Sequence, residues 1–245
     1  MNDWNLKPAE DTGLRHHERV RSIKRERSIY SSITSLVWWS VIALIMRGIF
    51  HFKVTGRDLL PPDLPFVIIG NHASHFDVIC LMLALPTSIR DRMYPLAAAD
   101  HFFGEIPLAT FTALVLNALP VDRQGGGKGR EAMAQLRARI QTSSPGIGYV
   151  LFPEGTRSRT GKMGRFRSGV GLLVAGTNIP VVPCHISGAQ AAWPADRRLP
   201  RLFSPISIVI GKPQVFAEIA TDQLGCEAIA RSLEDAVTDL LIAQG

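Results

Sequence analysis

A single α/β domain with a central, mainly buried sheet flanked by helices is the fold the sequence predicts, and three observations predict it. Apolar runs of strand length recur at 65–70 (PFVIIG), 146–152 (GIGYVLF), 179–186 (IPVVPCHI) and 206–211 (ISIVIG). Helical stripes lie between and after them, and strands alternating with helices build a layered α/β domain. The chain has 245 residues, which suits one sizeable domain over 51–245 better than two. Residues 1–50 form a separate amino-terminal segment, basic and then apolar, predicted to be helical and membrane-anchoring.

That segment comes first. Residues 15–27 hold six Lys or Arg and two Glu, and residues 28–46 (SIYSSITSLVWWSVIALIM) carry no formal charge. Nineteen uncharged residues just reach the length of a membrane-spanning helix. Ser31, Ser32, Thr34, Ser35 and Ser40 dilute the stretch, while Trp38 and Trp39 suit a membrane interface. Three readings stay open: a spanning helix, an interfacial helix, and a helix packed on the core. The basic run favours an anionic membrane surface.

Residues 53–65, with Gly56, Pro61, Pro62 and Pro65, read as a loop. PFVIIG is a buried strand ending at Gly70. Asp77–Leu85 reads as a helix that Pro86 stops. Residues 96–119 are apolar and read as partly helical. Ala132, Met133, Leu136 and Ile140 make a helical stripe, broken by Pro145 and Gly146. GIGYVLF, IPVVPCHI and ISIVIG supply three more strands. Glu227–Ala243 closes the chain as a helix with Ile229, Leu233, Val237 and Leu240 on one face.

Composition narrows the function classes. The formal net charge is +6, from 27 Lys plus Arg against 21 Asp plus Glu. That suits an anionic partner, but no order of basic and aromatic residues matches a nucleic-acid module. Cys80, Cys184 and Cys226 are scattered, which argues against a disulfide framework and against a zinc site. They read as buried thiols in a reducing compartment.

The chemistry concentrates in two turns. Asn71-His72-Ala73-Ser74-His75-Phe76-Asp77 follows one strand and opens a helix, the place where open α/β sheets bind ligands. A turn between His72 and Asp77 can bring imidazole and carboxylate together. A carboxylate on one ring nitrogen fixes the tautomer and leaves the other free to take a proton. This is a base with its orienter and no serine nucleophile, an arrangement suited to activating a substrate hydroxyl. Taken singly, His72 also reads as a turn histidine, Asp77 as a helix-start carboxylate, and His75 as a decoy.

The second turn is Phe152-Pro153-Glu154-Gly155-Thr156-Arg157-Ser158-Arg159. Arg157 and Arg159 can hold phosphate through paired N–H donors, and Glu154 can bind a hydroxyl or an arginine. Alone, such a turn is also an ordinary solvated loop. Pro120-Val121-Asp122-Arg123 adds Arg123 as a further phosphate contact or a surface ion pair with Asp122. Ile179-Pro180-Val181-Val182-Pro183 reads either as the wall of an acyl groove or as a core strand.

With these four blocks in hand, the sequence resembles the glycerolipid acyltransferase family, whose best-known members acylate 1-acylglycerol-3-phosphate. The family's histidine, four residues and aspartate fall on His72 and Asp77. Its phosphate-binding motif falls on Phe152 to Ser158, and the other two blocks occur in the family's order. The resemblance implies a fatty acyl thioester donor, acyl-CoA or acyl carrier protein, with no other cofactor and no metal. It implies His72 as base, Asp77 as its orienter, and Arg123, Glu154, Gly155, Thr156 and Arg157 as acceptor-binding residues. It also implies a membrane lipid acceptor, 1-acyl-sn-glycerol-3-phosphate foremost, in phospholipid biosynthesis at the cytoplasmic face of a membrane. Members acting on that acceptor often carry a lysine where this sequence has Ala99. Another lysolipid or dihydroxyacetone phosphate therefore remains an alternative acceptor. A non-catalytic lipid-binding protein is the alternative of a different class.

Overall fold

The computed structural model describes residues 29–98, 115–121 and 127–242, with residues 13 and 15. Seven strands form one mixed sheet. β1 (Lys53–Thr55) lies at one edge, and β7 (Ser207–Ile210) and β6 (Val181–Ser187) follow. β2 (Val67–Gly70) and β5 (Gly148–Leu151) come next, and β3 (Met93–Ala98) leads to β4 (Leu119–Val121) at the far edge. Neighbours run parallel except β6 and β7.

Alternation along the strands sorts the core into two layers. Phe66, Ile68, Val150, Val182 and Ile208 face one side. They pack there against Trp39 and Met46 of α1 (Ile29–Gly48) and against Cys80, Leu81 and Ala84 of α2 (Asp77–Ala84). Val67, Ile69, Tyr149 and Val181 face the other side. Their partners are Met133, Leu136 and Ile140 of α4 (Gly127–Thr142), Val170 and Leu173 of α5 (Gly169–Val174), and Ile229, Leu233 and Val237 of α7 (Gln223–Ile242). Two four-residue helices, α3 (Thr87–Arg90) and α6 (Ala189–Ala192), complete the set among the described residues.

The strands expected at 65–70, 146–152, 179–186 and 206–211 all form, because runs buried on both faces are uniformly apolar. One expectation is corrected. The loop expected over 53–65 opens with β1, a three-residue edge strand too short to show a period; it pairs with β7 in the register Lys53 to Ser207. Of the stretch expected to be partly helical over 96–119, the two ends carry strand, the end of β3 and the start of β4. Pro95, beside Val150 in the sheet, had masked β3. Residues 99–114 lie outside the described residues. All three cysteines are free and buried.

The amino-terminal segment also resolves in part. Among the described residues no helix is long and apolar enough to cross a membrane, so the spanning reading gives way. One side of α1 buries Ser35, Trp39 and Met46. The opposite side exposes Ile33, Leu36, Val37, Val41 and Leu44, with Leu44 75% exposed. The helix is thus packed on the core along one face and apolar on its outer face. Of the basic run, 16–27 lies outside the described residues.

Candidate active site

β2 and β5 are parallel neighbours in mid-sheet, so the turns that leave their carboxyl ends meet. β2 passes into α2 on one layer and β5 into α5 on the other, and such a divergence opens a crevice at the strand ends. Asn71 fixes the first turn to β6. Its side-chain amide donates to the Ile186 carbonyl at 3.0 Å and accepts the Ile186 N–H at 2.8 Å, as a strand residue would.

Next the chain curls around one carboxylate. Asp77 Oδ2 accepts the backbone N–H groups of Ala73 and Ser74, each at 2.7 Å. The same oxygen lies 2.9 Å from His72 Nδ1. Asp77 is 1% exposed, and a buried carboxylate requires such donors. Its place in the first turn of α2 adds the favourable end of the helix dipole. With Nδ1–H donating to Asp77, Nε2 is the ring nitrogen left as an acceptor. Phe152, the residue after β5, stacks on the imidazole with ring centroids 4.1 Å apart and planes 14° apart.

The second turn locks onto the first. Glu154 accepts the His72 N–H on one oxygen at 2.6 Å and the Gly164 N–H on the other at 2.7 Å. The Ser158 N–H donates to the His72 carbonyl at 2.7 Å. Burial pushes the Glu154 carboxyl above its usual range, and Asp77 and Glu234 add to the rise; the two N–H donors oppose it. Gly155 takes φ 74° to make the bend. A side chain there would meet Arg167, whose Nε lies 3.0 Å from the position of a Cβ.

A cavity of about 320 Å³ opens at this junction. His72, Phe152 and Gly155 stand on its wall with Arg130 and Arg167, and Leu96, Val121, Met133 and Leu172 make it largely apolar. It can seat a hydrocarbon chain beside a proton acceptor, with two guanidiniums in reach. Polar and charged residues, among them Glu154, Thr156, Ser158, Lys162, Arg165 and Arg167, line a neighbouring cavity of about 450 Å³.

The acyltransferase family model matches residues 51–187, which include both turns. The chain belongs to the acyltransferase family. A 1-acyl-sn-glycerol-3-phosphate acyltransferase alpha from Mus musculus is 29% identical over 165 residues, covering 67% of this chain and 51% of the relative. A chloroplastic protein of that activity name from Brassica napus is 26% identical over 198 residues, covering 80% and 54%. This chain therefore spans about half the length of those relatives. The fold is that of PlsC from Thermotoga maritima, whose structure is titled as a 1-acyl-sn-glycerophosphate acyltransferase. The TM-score is 0.56 and the identity 18%, with 86% of this chain and 95% of that one covered.

Within the acyltransferase domain the expected site residues divide. His72 and Gly155 line the cavity, and Asp77 and Glu154 are each hydrogen-bonded to His72. Thr156 is exposed and faces the polar cavity. Arg157 turns to His75 instead, its Nη1 2.7 Å from Nδ1, and His75 in turn leans on Trp193 with ring centroids 4.9 Å apart. Arg123 and Ala99 lie outside the described residues. The block from Ile179 to Pro183 does not line the His72 cavity; Val181 and Val182 are fully buried sheet core. Pro183 is tolerated there because its carbonyl faces Gly211, on the side where pairing of β6 with β7 begins only at Cys184. Sequence reasoning missed Arg130, Arg167 and the stacking role of Phe152. The basic run Arg165-Phe166-Arg167, soon after the second turn, was the available signal.

Proposed function

We propose that the protein transfers a fatty acyl group from an acyl thioester, acyl-CoA or acyl carrier protein, to the free hydroxyl of 1-acyl-sn-glycerol-3-phosphate. The observation that carries this reading is Asp77 on Nδ1 of a histidine that lines a largely apolar cavity. The activity in the names of the Mus musculus and Brassica napus relatives points the same way.

In this mechanism the acceptor hydroxyl gives its proton to His72 Nε2 while its oxygen attacks the thioester carbonyl carbon. The tetrahedral intermediate then breaks its C–S bond. The leaving thiolate recovers the proton from His72, so an ester and a free thiol leave and no acyl-enzyme forms. Asp77 keeps the tautomer and steadies the imidazolium in between. Glu154 holds the backbone of His72, and Phe152 stacks on its imidazole. The apolar wall takes the acyl chain, and Arg130 and Arg167 take phosphate groups. The outer face of α1 and the net positive charge seat the enzyme on an anionic membrane surface. The three free thiols suit the reducing, cytoplasmic face.

A second reading keeps the reaction and changes the acceptor to another lysolipid or dihydroxyacetone phosphate; Ala99 at the position of a common lysine favours it. One assay tests both. Purified protein receives a palmitoyl thioester and a panel of acceptors, beside the His72→Ala variant. Transfer to 1-acylglycerol-3-phosphate, lost in the variant, is the expected result. Transfer that survives in the variant would overturn the base, and transfer to another acceptor alone would select the second reading.

A further inference from the structure

At the end of α2 remote from Asp77, the helix leaves carbonyls without intrahelical donors. Arg57 and Arg90 cover them. Arg90 donates from Nε to the Met82 carbonyl at 2.8 Å and from Nη2 to that of Leu85 at 2.7 Å. Arg57 donates from Nη2 to the Leu83 carbonyl and from Nε to that of Ala84, each at 3.0 Å. Capping one helix end needs far less than two full charges, since the dipole there amounts to about half a unit. Each guanidinium keeps N–H donors beyond those it spends on carbonyls.

A third guanidinium joins them. Arg47, exposed in the last turn of α1, lines the same cavity of about 440 Å³ as Arg57 and Arg90. Among the described residues no carboxylate forms an ion pair with any of the three. Their charges are close enough to be felt. Burial first, then Arg57 and Arg47, hold Arg90 below the usual arginine range, against an opposing effect of Asp91. The rest of the wall is mainly apolar, with Phe52, Val54, Leu83, Leu85 and Pro86. No residue of this wall is shared with the cavity of His72.

The position of the cavity selects its ligand. Leu44 precedes Arg47 by about one turn and belongs to the exposed apolar stripe of α1. If that stripe lies among acyl chains, Arg47 stands at the depth of lipid phosphates. We propose that Arg47, Arg57 and Arg90 form a binding site for the phosphate of an anionic glycerophospholipid, separate from the site of acyl transfer. Guanidinium forks match phosphate oxygens, and the apolar wall receives the adjoining glycerol and chain. The proposal rests on the reading of α1 as a membrane-facing helix.

The test uses the full chain in neutral detergent and calorimetric titration with three soluble probes: dihexanoyl phosphatidylglycerol, dihexanoyl phosphatidylcholine and inorganic phosphate. Phosphatidylglycerol is a diester and so neither acceptor nor product of the proposed transfer. The expected result is saturable binding of phosphatidylglycerol, little of phosphatidylcholine, and inorganic phosphate weaker than the anionic lipid. Arg47 caps no carbonyl, so Arg47→Gln leaves the fold intact. It should weaken phosphatidylglycerol binding about tenfold, the loss of one charge-assisted contact, and Arg47→Lys should recover part of it. Equal binding of the two lipids, or unchanged binding in Arg47→Gln, would overturn the site. Inorganic phosphate binding as tightly as the lipid would overturn the lipid assignment. Acyl transfer assayed in the same detergent samples separates this failure from failure of the enzymatic reading, because Arg47→Gln should keep full turnover.

Discussion

The carboxylate of Glu154 holds the backbone of His72, accepting its N–H at 2.6 Å across two turns that are remote in sequence. The other carboxylate oxygen holds Gly164. One side chain, 5% exposed, therefore ties the histidine turn, the second turn and the loop beyond it into one body. Glu154 is a positioning residue in this arrangement: it touches the backbone of the base and not the reacting atoms.

Glu154 gives the first prediction. Its folded carboxyl binds a proton more tightly than the unfolded one, because burial raises it. The stabilising contribution of this group is fully present below the ordinary carboxylate range. It is lost as pH rises from that range to the raised value. Urea unfolding across mildly acidic to neutral pH should show this decline, and Glu154→Gln should flatten it. The variant should also be less stable at low pH by about 1–3 kcal/mol, since its amide N–H₂ confronts an N–H donor. An unchanged slope in the variant would contradict the assignment.

Asp77→Asn gives the second. The amide can still accept from Ala73 and Ser74, but it no longer enforces the tautomer of His72 or steadies an imidazolium. Turnover should fall about 10²- to 10⁴-fold with KM for the acceptor little changed. Steady-state kinetics with both substrates varied would check this. A rise in KM without loss of kcat would place Asp77 in binding instead.

These pairings explain how far the sequence could be read. The strands β2 and β5 were legible because both faces are buried, and the turn after β2 was legible because a histidine and a carboxylate sat at its two ends. β1 was not, since three edge residues carry no period. Arg167 was not either, because a loop places it against Gly155 and no helical or strand spacing points there. His75 had no visible partner in sequence; Arg157 reaches it from another turn.

Gly155 and Arg167 give the third prediction. Gly155→Ala puts a side chain into a positive-φ bend at a cost of about 1–2 kcal/mol and displaces the guanidinium packed against it. Arg167→Ala removes the guanidinium alone. Both variants should raise KM for a phosphate-bearing acceptor, by roughly tenfold for one lost charge-assisted bond, and only Gly155→Ala should lower the unfolding midpoint. Wild-type KM in Arg167→Ala would show that phosphate is held elsewhere.

The outer face of α1 gives the last. Trp39 and Met46 are core residues, 2% and 1% exposed, so a truncation after residue 46 removes packing as well as any membrane contact. Losing two such side chains costs about 2–5 kcal/mol each, and a truncated protein that failed on vesicles would have failed to fold. Substitution on the outer stripe avoids this. Val37→Glu with Leu44→Glu changes two exposed positions and leaves the inner face alone. Carboxylates there are unwelcome among acyl chains and repelled by anionic lipid. Flotation with anionic vesicles should be lost in the double variant, while acyl transfer in detergent and the unfolding midpoint stay at wild-type values. Flotation retained in full would mean that another surface of the domain carries the membrane contact.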